Sequence, residues 1–443
     1  MELESSQKRK DLFSTLLNQL WRFVSGPITM LLIPLFLTEI QQGYWYLFGS
    51  IAALSTFADL GFSNIILQFS AHEFAFLKIT QNGYIEGDEE HLKKLASFFK
   101  FSIKWLICIS SVAYPIIFIV GVVFFARDGV VSVYIIPWLI YSIGSLINFF
   151  NSSILSFVEG LNKIATVEKI RFFVSVLNTI VIAVVLCLHG NIYALALSMF
   201  FSSTSIFVSF FGSFKNILKQ LFEKSKNYYY PWRKEVLPLF LKYAISSVTV
   251  FFTLYMYTPI MHLFHGPVYS GKVGLSFSIV NVIFNISNIW IYTITPTVNM
   301  FVEKKNWESL DKIFFKRLFI SSITYLFIVL CMILFWKITY RFGITLFNNI
   351  ISRCFPLWSI LLLAGAYFIN IFDNAMGMYL AAHKKIPFLI PNILSTIFIF
   401  LSTFLIGKFM KPEFFFLGTF LTYILFFFVN LVIFVKCRKM WHE

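Results

Sequence analysis

Two formal charges stand inside apolar stretches near the start of the chain. Arg22 lies in LLNQLWRFVSGPITMLLIPLFL and Asp59 in YWYLFGSIAALSTFADLGFSNIILQF. A charge at membrane depth costs about 2.5–3.5 kcal/mol on insertion scales, so such residues usually have a task. A guanidinium presents a planar fork of donors to phosphate or carboxylate oxygens. Arg22 therefore has two readings: a fixed cation in a central cavity for an anionic head group, or an ion pair with Asp59 that locks two helices. With the first helix starting near Leu12 and the second ending near Phe69, both charges lie about ten residues from one membrane face. At about 1.5 Å per residue that is equal depth. Asp59 reads as the partner of Arg22, with protonation as the alternative. Gly26-Pro27 follows one turn beyond Arg22, where proline frees a carbonyl and lets a helix bend.

Other polar residues within apolar stretches extend the set. Lys242 stands near the position that matches Arg22 in the second half, either lining a cavity or snorkelling to the interface. Asp373, flanked by Asn370 and Asn374, is a candidate proton or cation site. Asn281, Asn285 and Asn288 fall at i, i+4 and i+7, on one stripe of a helix, and Asn148 and Asn151 share another. A polar stripe at membrane depth faces a cavity or another helix. Enzyme chemistry is disfavoured: there is no Walker A, H-E-x-x-H or G-x-S-x-G, and no loop long enough for a catalytic domain. His262 and His265, beside Gly266-Pro267, read as interfacial rather than metal-binding. The five cysteines show no disulfide or zinc spacing, so neither cofactor nor metal is expected.

The elements that must position these residues are membrane helices. The chain is 58% hydrophobic with mean hydropathy +0.78, and apolar runs of about 20 residues recur from end to end. We count twelve spans, near 12–37, 43–69, 103–126, 132–158, 170–188, 191–212, 236–262, 273–299, 318–339, 355–381, 386–407 and 413–435. Most Lys and Arg lie at the N-terminus, in the connections after even spans and in the tail. The positive-inside rule then puts both termini in the cytoplasm. The net charge of +15 is so distributed that it speaks for topology, not for nucleic acid. The segment EEHLKKLASFFKFSIKW reads as a short amphipathic helix on the cytoplasmic interface.

The basic stretch 215–235 divides the chain into an N-terminal six-helix lobe, 1–214, and a C-terminal one, 236–443. The lobes repeat. At one constant offset Asn148 meets Asn370, Phe150 meets Phe372, Asn151 meets Asp373, Phe157 meets Tyr379 and Lys163 meets Lys385. Six intervening spans give both copies the same membrane orientation, a parallel repeat with a substrate site between the lobes. The fold class expected is all-α polytopic membrane protein.

With these features the chain resembles the O-antigen and lipid-linked oligosaccharide flippases of the multidrug/oligosaccharidyl-lipid/polysaccharide (MOP) superfamily. The resemblance rests on Arg22 with Gly26-Pro27, Gly43–Trp45, Asp59-Leu60-Gly61, Gln68 with His72-Glu73, and Glu159-Gly160-Leu161 with Lys163. It implies a V-shaped pair of lobes alternating between inward- and outward-open states in a bacterial inner membrane. The implied cargo is an undecaprenyl-pyrophosphate-linked glycan, with bilayer lipid around it and a proton or sodium ion as coupling partner. Polysaccharide polymerase and chain-length proteins are implied as neighbours. A drug or cation antiporter of the same superfamily is the alternative, and a polymerase or ligase a weaker one.

Overall fold

The computed structural model describes residues 2–442 apart from 81, 227 and 344; the side chains of Arg22 and Lys242 lie outside the described residues. Its elements run α1 (Glu2–Phe36), α2 (Glu39–Ala52), α3 (Ser55–Asp59), α4 (Phe62–Phe74), β1 (Leu77–Ile79), β2 (Ile85–Gly87), α5 (Glu89–Arg127), α6 (Val131–Gly160), α7 (Ile164–Cys187) and α8 (Tyr193–Lys224). The second half continues with α9 (Trp232–Leu254), α10 (Tyr257–Tyr292), α11 (Thr295–Glu303), α12 (Trp307–Phe342), α13 (Thr345–Ser352), α14 (Leu357–Ala382), α15 (Leu389–Phe409) and α16 (Leu417–His442). The chain is an all-α polytopic membrane protein; β1 and β2 form one small antiparallel hairpin. Helices dominate because hydrocarbon offers no partner for backbone N–H and C=O groups, which must bond within their own segment.

Nine stretches among the described residues are long and apolar enough to cross a membrane, ten when the bent pair Glu39–Asp59 and Phe62–Phe74 is one broken span. One of the nine, Trp232–Glu303, holds two expected spans as α9 and α10, and the first expected span lies on α1. The twelve spans are accounted for in that way.

The chain packs as two compact units. The first takes Met1–Thr29 and Phe48–Phe251, the second Met30–Leu47 and Phe252–Glu443. In the first, buried Trp138 meets Phe48 edge-on at 4.9 Å, and its Nε1 donates to the Phe118 carbonyl at 3.0 Å. Tyr114 Oη donates to the Ser145 carbonyl there. In the second, Tyr325 Oη donates in the same way to Ala364 O, both at 2.8 Å. In each unit a buried tyrosine of the preceding long helix, Tyr114 of α5 or Tyr325 of α12, is thus tied to the Asn-bearing helix, α6 or α14.

Three segments differ from the sequence reading. The expected interfacial helix is the first turns of α5, a single helix of 39 residues capped by Asp88, whose carboxylate accepts from Glu90 N and His91 N at 3.0 Å. Those N–H groups, His91 first, hold the Asp88 carboxyl below its usual range. At about 1.5 Å per residue α5 is about 58 Å long, well beyond a hydrocarbon core of about 30 Å. Its apolar face, Leu92, Leu95, Phe98 and Phe99, is buried in protein rather than laid on lipid. The second span is broken after Asp59, where Leu60 and Gly61 have φ of 42° and 78°. The seventh ends at Leu254. A new helix starts at Tyr257 and passes through Gly266-Pro267, where Gly266 has φ 79°. His262 is consequently buried, its Nδ1 3.1 Å from Ser270 Oγ, instead of interfacial.

Candidate functional site

In the first unit, helical spacing places Asn148 and Ser152 on one face of α6. Arg171, Ser175 and Asn178 stand at i, i+4 and i+7 on one face of α7. At Gly144 helix α6 presses on α8: a Cβ there would come within 2.8 Å of the Phe200 backbone nitrogen. Only glycine permits that approach. These faces, with Ser202 of α8 and Asn18 of α1, line a cavity of about 410 Å³ whose apolar walls include Leu155, Val174 and Ile206. A pocket of that size, with polar groups converging beside apolar walls, suits a small amphipathic organic ligand.

Arg171 is the charged residue on the cavity wall, and it is held between two acids that lie behind the lining. Arg171 Nη1 donates to Glu168 Oε1 at 2.6 Å, and Nη2 donates to Glu159 Oε2 at 2.9 Å. The other oxygen of Glu168, a buried residue, accepts from Asn18 Nδ2 at 2.7 Å. The cluster keeps one net negative charge. Asn18 is 4% exposed and its Oδ1 has no partner among the described residues. An unmatched buried acceptor costs about 1–3 kcal/mol, which favours a ligand that brings a donor.

The second unit holds a smaller polar pair. Asn430 Nδ2 of α16 donates to Asp373 Oδ1 of α14 at 3.1 Å, and Asn430 Oδ1 is buried with no partner among the described residues. The repeat recurs here: Asn151, the counterpart of Asp373, donates from Nδ2 to Ser203 O of α8 at 2.7 Å. Each unit thus bridges the matching helix to the second one after it, α6 to α8 and α14 to α16, with a polar side chain.

Of the residues singled out from sequence, Asn148 lines the first-unit cavity. Asn151 lies one position off the Ser152 face and is buried as a staple to α8. The Asp59 carboxylate accepts from Gly61 N and Ser63 N, both at 3.1 Å, and from Ser63 Oγ at 2.5 Å, fixing the break before α4. Gly61 has φ 78°, and a Cβ there would lie 2.6 Å from Tyr243 Cβ. Arg22 sits on α1 and Lys242 on α9, with side chains outside the described residues. Asn285 Nδ2 donates to Asn281 Oδ1 at 2.5 Å on α10, whereas Asn288 is fully buried with neither amide atom bonded. Asn370 and Asn374 flank Asp373 on α14, both half-buried.

Sequence reasoning missed Asn18, Ser152, Glu168, Arg171, Ser175, Asn178, Ser202 and Asn430. Arg171 stands at the start of the expected fifth span, beside the basic fourth connection with Lys163 and Lys169. The i, i+4, i+7 test that found the α10 asparagines, applied to α7, picks out Arg171, Ser175 and Asn178 as well.

No protein-family model and no curated protein matches the chain. Its likeness is to solved structures. An inward-facing multidrug resistance MATE family transporter of the MOP superfamily is similar at TM-score 0.58 and 16% identity, covering 96% of this chain and 95% of that one. An outward-facing MATE transporter gives 0.56 and 14%, over 98% and 96%. The chain has the MATE transporter fold. A third MATE-like structure is a MOP superfamily transporter from Pyrococcus furiosus Vc1, whose binding pocket is of reverse polarity, suggesting a different function. It matches at 0.52 and 14% identity over 99% and 97% of the two chains. These likenesses show the fold; they decide neither the superfamily expected from the sequence nor its flippase branch.

Proposed function

We propose that this MATE-fold chain is an alternating-access membrane transporter that exports small amphipathic organic cations. The observation that carries the reading is the first-unit cavity, where Arg171 is held between Glu159 and Glu168 and the polar lining is otherwise amides and hydroxyls. The net negative charge favours a cation, Asn18 Oδ1 offers an acceptor to its N–H groups, and the apolar walls take its rings. This departs from the cationic cavity expected around Arg22. Asp373 with Asn430 is proposed as the ion-coupling pair, since a carboxylate beside an unbonded amide oxygen suits a proton or a hard cation such as sodium. Binding of that ion in one state and of cargo in the other supplies the differential affinity that directs transport. The setting is a bacterial inner membrane with both termini cytoplasmic.

The test is efflux of ethidium from cells or proteoliposomes that hold the full chain. Wild type lowers ethidium retention, and Glu168→Gln, which removes the excess negative charge, reduces the export rate by roughly ten-fold, about 1.4 kcal/mol. Export by Glu168→Gln at the wild-type rate overturns the assignment of the cavity.

A second reading, translocation of a lipid-linked oligosaccharide, is favoured by one observation: the order of Arg22, Gly26-Pro27, Gly43–Trp45 and Asp59-Leu60-Gly61 along the first hairpin. It predicts that the chain restores surface polysaccharide in a flippase-deficient strain supplied with the matching glycan pathway. It also predicts that Arg22→Ala, Lys242→Ala and the asparagine variants of α10 abolish the effect.

A further inference from the structure

Helix α8 does not stop where its membrane span does. After Phe214, whose φ of −121° and ψ of 16° interrupt the helix, it continues to Lys224. Three faces of this extension have different surroundings. Leu218, Leu221 and Ser225 are buried in the first unit. Asn216, Gln220 and Lys224 hold the β1–β2 hairpin and the start of α5. Gln220 bonds both Ile85 N and Ile85 O at 2.7 Å, Asn216 Nδ2 donates to Asn82 O, and Lys224 Nζ is 3.4 Å from Glu89 Oε1. The third face carries Lys215, Lys219 and Phe222 at i, i+4 and i+7, with Lys226 just past the helix end; all are exposed, Phe222 at 48%.

On the span before the interruption, Phe201, Val208 and Gly212 share one helical stripe and are exposed, Val208 at 65%. In a membrane helix an exposed apolar stripe looks at acyl chains. About 20 residues of helix, from Tyr193 to Gly212, cross a core of about 30 Å, so the exposed residues of α8 change from apolar to lysine at the depth where acyl chains give way to headgroups. Among the described residues, none of Lys215, Lys219 and Lys226 lies within ion-pair distance of a carboxylate, whereas Lys224 on the neighbouring face has Glu89.

We propose that this face of α8 is a binding site for anionic phospholipid headgroups. Lys215, Lys219 and Lys226 receive the phosphate oxygens and Phe222 rests at the acyl boundary between them, as in amphipathic interfacial helices. The Phe214 interruption re-aims the extension after the span, and the hairpin clamp holds it from the opposite side. The site rests on the chain being a membrane protein and is independent of what it carries.

The test reconstitutes the full chain in phosphatidylcholine nanodiscs and compares immobilisation of spin-labelled phosphatidylglycerol with spin-labelled phosphatidylcholine. Each lysine near an anionic surface contributes roughly five-fold. Wild type therefore prefers phosphatidylglycerol, the preference collapses at about 1 M salt, where screening shortens to about 3 Å, and Lys219→Gln weakens it several-fold. The triple variant Lys215→Gln, Lys219→Gln, Lys226→Gln abolishes it with an unchanged melting temperature. Retention by the triple variant, no preference or no salt dependence in wild type, or an equal loss in Lys304→Gln with Lys305→Gln overturns the proposal. So does full displacement of the lipid probe by inorganic phosphate, which would assign the lysines to a free anion.

Discussion

At the scale of single residues, Asp59 and Asp373 separate two meanings of an acid at membrane depth. The Asp59 carboxylate has local work: it accepts two backbone N–H groups and a hydroxyl at the start of α4. Asp59→Ala is expected to destabilise the chain by about 1–2 kcal/mol, read as a lower melting temperature in detergent. Asp59→Asn, which keeps an acceptor oxygen, costs less and leaves transport intact; a transport-dead but stably folded Asp59→Asn would assign it to the Arg22 pair instead. Among the described residues Asp373 is bonded by Asn430 alone. Its removal as Asp373→Asn is expected to leave ethidium binding unchanged and to abolish the dependence of export on an imposed proton or sodium gradient. Gradient-driven export by that variant would remove Asp373 from the coupling role.

At the scale of elements, the α6–α8 seam shapes the cavity. Gly144 brings the two backbones together, and a side chain at that position meets Met199 and Phe200 main chain rather than a flexible side-chain end. Gly144→Val is expected to cost about 1–3 kcal/mol as overpacking, lowering the melting temperature. It also moves Ser202 and Asn148 apart, so ethidium binding weakens with it. A variant that melts as wild type would show that the seam yields. Helix α5 teaches a different lesson. Val112, Ile116, Ile119 and Val123 are exposed while Leu106, Tyr114, Ile117 and Phe125 are buried on the other side, yet both faces are apolar. Amphipathic reading works at its cytoplasmic start, where the sequence shows charge against Leu and Phe. That pattern, though, marks burial against protein there and not a helix on lipid.

At the scale of the whole molecule, the twelve spans expected from the sequence, an even number, predict that the two ends of the chain lie on one side of the membrane. A fluorescent protein fused after His442 is expected to fluoresce, and alkaline phosphatase fused there to be inactive. Active phosphatase would invert the orientation or change the number of passes. The repeat is also a whole-molecule property, visible in the sequence as Asn148 with Asn370 and Asn151 with Asp373. The structure adds that both bridging residues reach the second helix after their own, α6 to α8 through Ser203 and α14 to α16 through Asn430.

Sequence alone determined the membrane class, the places of the spans and their two-fold repetition, because hydrocarbon forces every crossing into an apolar helix of about 20 residues. It located some of the polar residues within those spans, among them Asn148, Asn151 and Asp373, and passed over others such as Asn18, Asn178 and Asn430. Which of them converge was decided only by the tertiary structure. Rotation and depth of each helix follow from contacts such as Gly144 on Phe200, between partners far apart in the chain. Inside a membrane the face toward lipid and the face toward protein are equally apolar, so periodicity carries little sign of direction. Arg171 illustrates the consequence: its place in the sequence reads as the start of a span beside a basic connection, and packing brings it between Glu159 and Glu168 at the cavity wall.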